Sequence, residues 1–321
     1  MLKVQNLHKR YPGEHYGAVN DISLQLADRE ILAIVGRSGS GKSTLLRMLA
    51  GLMKPDSGSI EFDGEQLKNP EDQLIAGHEK IKMVFQDFQV KQNMTVAENV
   101  RYKLLHFNKD YQNERCDELL ELCGLQPLAQ KMPHELSGGQ QQRLSLARAL
   151  ADDPELLLMD EPFSNLDPII KEDLLIELTE IVRKEEVSMI LVSHDTRDAM
   201  LIADRIAYIE DGFLLQIDTP EVIYNQPKTL AIAQFFGRVN ELKRSDGSTL
   251  FARAEHLQQN VSENAFQAKV ESCTFLGNYN LCRARTELGK SVVFYSNEVL
   301  KKGDTIYLGV FTCFELHFSA G

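Results

Sequence analysis

Three uninterrupted apolar runs interrupt the mixed pattern of this chain, at residues 31–35, 156–159 and 189–192, and each gives way at once to small or polar residues. Such runs predict parallel strands buried on both faces, and the residues directly after them lie at the edge where such sheets bind ligands. Between the runs the apolar spacing becomes helical, in STLLRMLAGL (43–52), KEDLLIELTEIVRKE (171–185) and DTRDAMLIADRI (195–206). Strand and helix alternate, which predicts an α/β fold with a parallel-sheet core. Residues 96–124 carry no strand signal. Cys116, Leu119, Leu120 and Cys123 fall at i, i+3, i+4 and i+7, and Gly124 is placed to stop the helix. They form the centre of a helical insert over about residues 88–145. After Phe236 come short stretches rich in β-branched and aromatic residues, such as AFQAKVESC, SVVFYS and FTCFELHF. Turn signals at Asp246-Gly247, Leu276-Gly277, Leu288-Gly289 and residues 302–304 separate them. The pattern predicts two domains: an α/β domain over 1–235 and an all-β domain over 236–321, of a size that suits one small barrel.

The length of 321 residues accommodates two cores. A net charge of -12 argues against a nucleic-acid or anionic-lipid surface as the main partner, so no nucleic acid is expected. No apolar run reaches the roughly 18 to 20 residues of a membrane helix, and the first residues lack the apolar centre of a signal peptide. A cytosolic protein that meets a membrane only through a partner is expected. Five cysteines, an odd number without a C-x-x-C pair, read as reduced thiols.

The stretch GRSGSGKST, residues 36–44, comes directly after the first apolar run and opens the first helical pattern. That is the context a phosphate loop of the form G-x-x-x-x-G-K-[ST] requires. Gly36, Ser38, Gly39, Ser40 and Gly41 let successive N–H groups turn inward around phosphate oxygens, at a helix start that favours anions. Lys42 then reaches the β- and γ-phosphates, Ser43 ligates Mg²⁺ through its hydroxyl, and Thr44 ends the motif. Asp160 and Glu161 end the second apolar run. Alone they read as a solvated turn before a proline; beside a phosphate loop they suit phosphoryl transfer to water, Asp160 for Mg²⁺ and Glu161 as general base. His194 ends the third run at the same edge, where its ring can bond a γ-phosphate, though a lone histidine also reads as structural. Gln86, in MVFQDF, suits a weak ligand of Mg²⁺ or water that senses the γ-phosphate.

A second glycine pair lies in PHELSGGQQQRLSLARAL, residues 133–150. Ser137 and Gln140 fit a capping box at a helix start. The box gives no reason for the two glycines between them, which weaken a helix. A second loop reaching the γ-phosphate from the opposite face does give one, and its most economical source is a second subunit.

In order, the phosphate loop, Gln86, LSGGQ (136–140), Asp160-Glu161, SNLD (164–167) and His194 resemble an ATP-binding cassette ATPase over about residues 1–235. The resemblance implies a head-to-tail homodimer with two ATP molecules between the chains, Ser137, Gly139 and Gln140 of each completing the other's site. It implies that Tyr11, in KRYPGEHYG, stacks on adenine, with Tyr16 as rival, and that Asp167 links the two sites. The tail is similar to the OB-like (TOBE) regulatory domain of ATPase subunits in bacterial importers. Integral membrane permease subunits are then direct partners, an extracytoplasmic substrate-binding protein an indirect one, and the place of work is the cytoplasmic face of the inner membrane. One departure stands out: such proteins carry a leucine and a proline after the glutamine, where this chain has DFQVKQNMTVAENV. The alternatives are an exporter ATPase, which normally lacks the β tail, and a soluble cassette ATPase acting on ribosomes or DNA, which usually carries two cassettes or a long coiled coil. An oligonucleotide-binding barrel is opposed by the scattered basic residues of the tail. The transported substrate is chosen by other subunits.

Overall fold

The computed structural model describes residues 1–13, 16–84, 90–163, 167–243, 249–259 and 265–311. By the contacts among its residues the chain divides into two compact units, Met1–Pro220 and Glu221–Gly321. The first unit begins with β1 (Leu2–Lys9), β2 (Val19–Leu26), β3 (Ile31–Val35), α1 (Lys42–Leu49), β4 (Ser57–Phe62), β5 (Glu65–Gln66) and β6 (Ile81–Val84). A helical stretch comes next, α2 (Val96–Arg101), α3 (Lys109–Leu122) and α4 (Gly138–Leu150). The chain then alternates through β7 (Leu156–Asp160), α5 (Pro168–Lys184), β8 (Ser188–Ser193), α6 (Thr196–Ile202), β9 (Arg205–Glu210) and β10 (Phe213–Asp218).

Six strands form the central sheet in the order β10-β9-β3-β8-β7-β6, parallel except where β10 pairs antiparallel with β9. The three apolar runs are β3, β7 and β8, as expected, and the packing shows why they do not alternate. Leu32, Ile34, Leu156, Leu158, Ile190 and Val192 enter one core with α1 and the antiparallel sheet β2-β1-β4-β5. Their neighbours Ile31, Leu157, Met159, Met189 and Leu191 enter a second core with α2, α3, α4 and α5. Both faces of the sheet are apolar because both are covered. The expected helical segment is present, with Cys116, Leu119, Leu120 and Cys123 buried, and burial pushes the Cys123 thiol up to about 12.

Two features differ from the sequence reading. The antiparallel sheet was not anticipated: Asn6, at φ 46°, sits where the β1–β2 register shifts between Val4 and Leu7, and the shift breaks the alternation that marks a half-buried strand. The third helical pattern ends at Ile202, not Ile206. There Asp204 accepts the Ile31 N–H at 2.8 Å and donates its own to the Ile31 carbonyl at 2.8 Å, which locks the chain into β9 beside β3.

Helix α7 (Pro220–Asn225) spans the division between units, and α8 (Leu230–Phe236), β11 (Val239–Lys243), β12 (Thr249–Arg253) and β13 (Leu257–Gln259) come after it. The chain closes with β14 (Phe266–Phe275), β15 (Asn280–Thr286), β16 (Ser291–Ser296) and β17 (Thr305–Val310). Five strands form an antiparallel sheet in the order β13-β17-β14-β15-β16, and its end strands β13 and β16 approach one another, giving a nearly closed barrel. Leu257, Ala268, Cys282, Val292, Phe294 and Leu308 fill its interior. The stretch FTCFELHF, expected as a strand, runs beyond Phe311 outside the described residues.

Arg253, fully buried, ties helices to strand in this unit. It donates to the Ala233 carbonyl at 2.9 Å and the Tyr224 carbonyl at 2.6 Å, and its guanidinium lies 3.8 Å from the Tyr224 ring centre. Exchange to methionine keeps the volume and removes both donors. Arg253→Met is expected to destabilise this unit by about 2–4 kcal/mol, the cost of leaving two buried carbonyls unpaired. Chemical denaturation followed by circular dichroism measures the loss, and Arg253→Lys is expected to recover little of it, since one ammonium does not reproduce the fork.

Candidate functional site

The loop between β3 and α1 is held tightly by backbone. Gly36 has φ 155° and Gly41 φ 96°. A Cβ at Gly36 would lie 2.0 Å from the Ile209 carbonyl oxygen, and one at Gly41 would lie 1.8 Å from that of Ala18. Only glycine fits either position. The Asp211-Gly212 turn between β9 and β10 supports the loop from outside, the Gly212 N–H donating to the Ser40 carbonyl at 3.2 Å.

Lys42 opens α1 and is buried. Its ammonium donates to the Gly36 and Arg37 carbonyls at 2.9 Å each and lies 3.4 Å from Ser40 Oγ. Burial draws its pKa below the ordinary lysine value, against the opposing pull of Glu161 and Asp160. Ser43 Oγ donates to Asp160 Oδ1 at 3.0 Å. Burial raises the Asp160 carboxyl above its usual range; the Ser43 hydrogen bond works the other way and the Glu161 charge adds to the rise. This pair of adjacent oxygens, a hydroxyl and a carboxylate, fits a hard cation such as Mg²⁺.

Glu161 takes φ 47°, uncommon for a non-glycine residue, and its N–H donates to the Val192 carbonyl at 3.0 Å. That bend turns the carboxylate toward β8, where His194 Nδ1 lies 2.9 Å from Glu161 Oε2. The two residues meet side chain to side chain, an arrangement in which an imidazole can orient a carboxylate beside the phosphate loop.

A cleft of roughly 1310 Å³ brings these groups together; its walls include Gly39, Gly41, Lys42, Ser43, Thr44, Asp160 and Glu161, with Tyr11 and Tyr16 at one side. The Tyr11 hydroxyl is hydrogen-bonded to Thr44 Oγ1 at 3.2 Å, while Tyr16 is 84% exposed. Tyr11 is thus anchored to the phosphate loop and Tyr16 is not. The cleft wall also includes Ala18, Asp211, Gly212 and Phe213, which the sequence reading missed. The signal was there, an Asp-Gly turn between two strand-like stretches.

Ser137, Gly139 and Gln140 do not line this cleft. At the start of α4 the capping box forms in full: the Ser137 N–H donates to Gln140 Oε1 at 3.0 Å and the Gln140 N–H to Ser137 Oγ at 3.4 Å. Ser137 and Gly138 are exposed. Asp167 caps α5, its Oδ1 accepting the Ile169 N–H at 3.0 Å. Gln86 and residues 164–166 lie outside the described residues.

Comparison with known proteins agrees with this geometry. The sequence profile of the ABC transporter family matches residues 19–164. The chain is 42% identical over 242 residues to the putrescine transport ATP-binding protein PotG of Escherichia coli, covering 75% of this chain and 63% of PotG, somewhat under two thirds of that protein's length. It is 34% identical over 331 residues to the spermidine/putrescine import ATP-binding protein PotA of Pseudomonas aeruginosa, covering 100% of this chain and 88% of PotA. Among solved structures, the dimeric post-hydrolysis state of the ATP-binding cassette MJ0796 bound to ADP and Pi superposes with a TM-score of 0.60 at 30% identity, covering 68% of this chain and 99% of that one. The chain therefore belongs to the ABC transporter family, and its first unit has that family's cassette fold.

Proposed function

We propose that the protein is the ATP-hydrolysing subunit of a bacterial membrane importer, acting as a homodimer that closes around two ATP molecules and drives associated permease subunits. The observation that carries this reading is the convergence of Lys42, Ser43, Asp160 and Glu161 at one cleft, with His194 in contact with Glu161 and residues 137–140 of the same chain not among the cleft walls. The dimeric MJ0796 cassette bound to ADP and Pi supports the two-chain arrangement. Import is favoured over export by the all-β barrel of the second unit and by relatives named as import proteins. On this reading residues 1–235 are the cassette and 236–321 the regulatory domain. The chain works at the cytoplasmic face of the inner membrane, supplied indirectly by an extracytoplasmic substrate-binding protein.

In the reaction, ATP lies with its phosphates on the N–H groups of residues 36–44 and Lys42, and its base beside Tyr11. Ser43 and Asp160, with Gln86, would hold Mg²⁺, which when bound would supply positive charge to the phosphate oxygens. Glu161 takes a proton from water as the water oxygen bonds to the γ-phosphorus and the bond to the β–γ bridging oxygen breaks, ADP leaving with the electron pair. His194 holds the Glu161 carboxylate in line for that proton. Positioning and charge stabilisation do most of the catalysis. Residues 137–140 of the partner chain meet the γ-phosphate from the opposite face.

Two outcomes are expected. Glu161→Gln lowers kcat by about 10²–10⁴-fold and, with ATP and Mg²⁺, sediments as a dimer, and adding Ser137→Arg returns it to monomer. A Glu161→Gln chain that binds ATP yet stays monomeric would sink the two-chain site. In the second, Gly41→Val drives a side chain into the Ala18 carbonyl and weakens ATP binding by about a hundredfold, roughly 3 kcal/mol, measured by fluorescent-nucleotide titration.

A further inference from the structure

We propose that Lys171 is a positioning residue for hydrolysis, tying the first turn of α5 to the loop that carries His194; the proposal rests on the functional reading above. His194 is half exposed, and its ring meets Glu161. The contacts that fix its backbone lie on either side. Ser193 Oγ accepts the Asp195 N–H at 3.0 Å and donates to Asp198 Oδ2 at 2.6 Å. The Lys171 ammonium lies 2.8 Å from Asp195 Oδ2 and 2.7 Å from Asp198 Oδ1. Both flanks of His194 are thereby held by one cation from another helix.

The placement of that cation is unusual. Lys171 sits in the first turn of α5, its N–H donating to the Asp167 carbonyl at 2.9 Å, and a helix start disfavours positive charge. It is largely buried, and burial works to lower its pKa, yet the hydrogen bonds to Asp195 and Asp198 hold it above the ordinary value. A solvated lysine needs none of this. A small cavity joins the cluster to the reacting groups, its walls including Glu161, Lys171, Ser193, His194 and Asp198. The turn that carries Lys171 is also the turn capped by Asp167, the residue expected to link the two sites of the dimer. Movement of that turn therefore reaches His194 through two ion pairs, and Glu161 through one hydrogen bond more. Lys171 contacts no reacting atom. Its effect passes through His194.

The test uses the full chain and two readouts, steady-state ATP hydrolysis and hydrogen exchange without nucleotide. Lys171→Met is expected to lower kcat by about tenfold or more with the KM for ATP changed by less than about twofold. The Asp195 and Arg197 amides should exchange about tenfold faster. Lys171→Arg should restore both. Because Lys171→Met strands two carboxylates, Lys171→Met with Asp198→Asn is measured beside it, and is expected to match the wild type in thermal midpoint while remaining slow. The proposal is overturned if the double variant hydrolyses ATP at the wild-type kcat, if Lys171→Arg is as slow as Lys171→Met, or if the loss lies in KM. A wild-type chain that does not hydrolyse ATP overturns the functional reading instead, and the exchange rates then decide whether Lys171 orders the loop.

Discussion

A strand buried on both faces has no place for polar side chains except at its ends, and the site of this protein is built on that constraint. β3, β7 and β8 are apolar along nearly their whole length because helices cover one face of the sheet and an antiparallel sheet with α1 covers the other. Their ladder register brings Val35 opposite Ser193 and Asp160 opposite Val192. Three strands thus stop level with one another. Gly36, Glu161 and His194 each come directly after a strand end, so the phosphate loop, the acidic pair and the histidine share one edge before any side chain contact is made.

The same constraint explains how much was legible in the sequence. Uninterrupted runs of Ile, Leu and Val ending in GRSGSGKST, DEP and SHD announce strand ends with chemistry attached, and the structure brings those groups within hydrogen-bonding distance. The features that were not legible depend on phase and distance. The first strand loses its alternation at Asn6, where a positive φ shifts the ladder, so a periodicity argument passes over it. Asp211 and Gly212 announce a turn, but the backbone hydrogen bond by which Gly212 reaches the phosphate loop from some 170 residues away leaves no mark on local composition. Only the register of β9 against β3 brings them there.

Ser137 and Gln140 were open to two readings, a helix cap or a loop that reads a partner's nucleotide, and the geometry shows that the first does not use up the residues. The cap occupies Ser137 Oγ and Gln140 Oε1 within the chain. It makes no use of the glycines between them. A Cβ at Gly139 would meet Leu174 Cδ1 at 3.2 Å, the end of a side chain that can give by a few tenths of an ångström. Packing inside the chain therefore asks little of Gly139, which sits in the first turn of α4. A glycine that packing inside the chain does not require is open to a use outside it, which is where the proposed partner nucleotide lies.

Charge gives the division of labour among the acids. The cleft holds Lys42 against Asp160 and Glu161, so its acids outnumber the cation of the phosphate loop, and a polyphosphate entering it meets repulsion that one ammonium does not offset. The loop N–H groups at the start of α1 lower that repulsion without adding a titrating group. On the proposed reading a divalent ion at Ser43 and Asp160 would offset more of it, by turning Asp160 from a repelling charge into a ligand. Glu161, its neighbour in sequence, is bent away from Asp160, at φ 47°, toward His194. The strained turn after β7 thus sends two side chains adjacent in sequence to different partners, Asp160 to Ser43 and Glu161 to His194, as the proposed roles of metal ligand and base require.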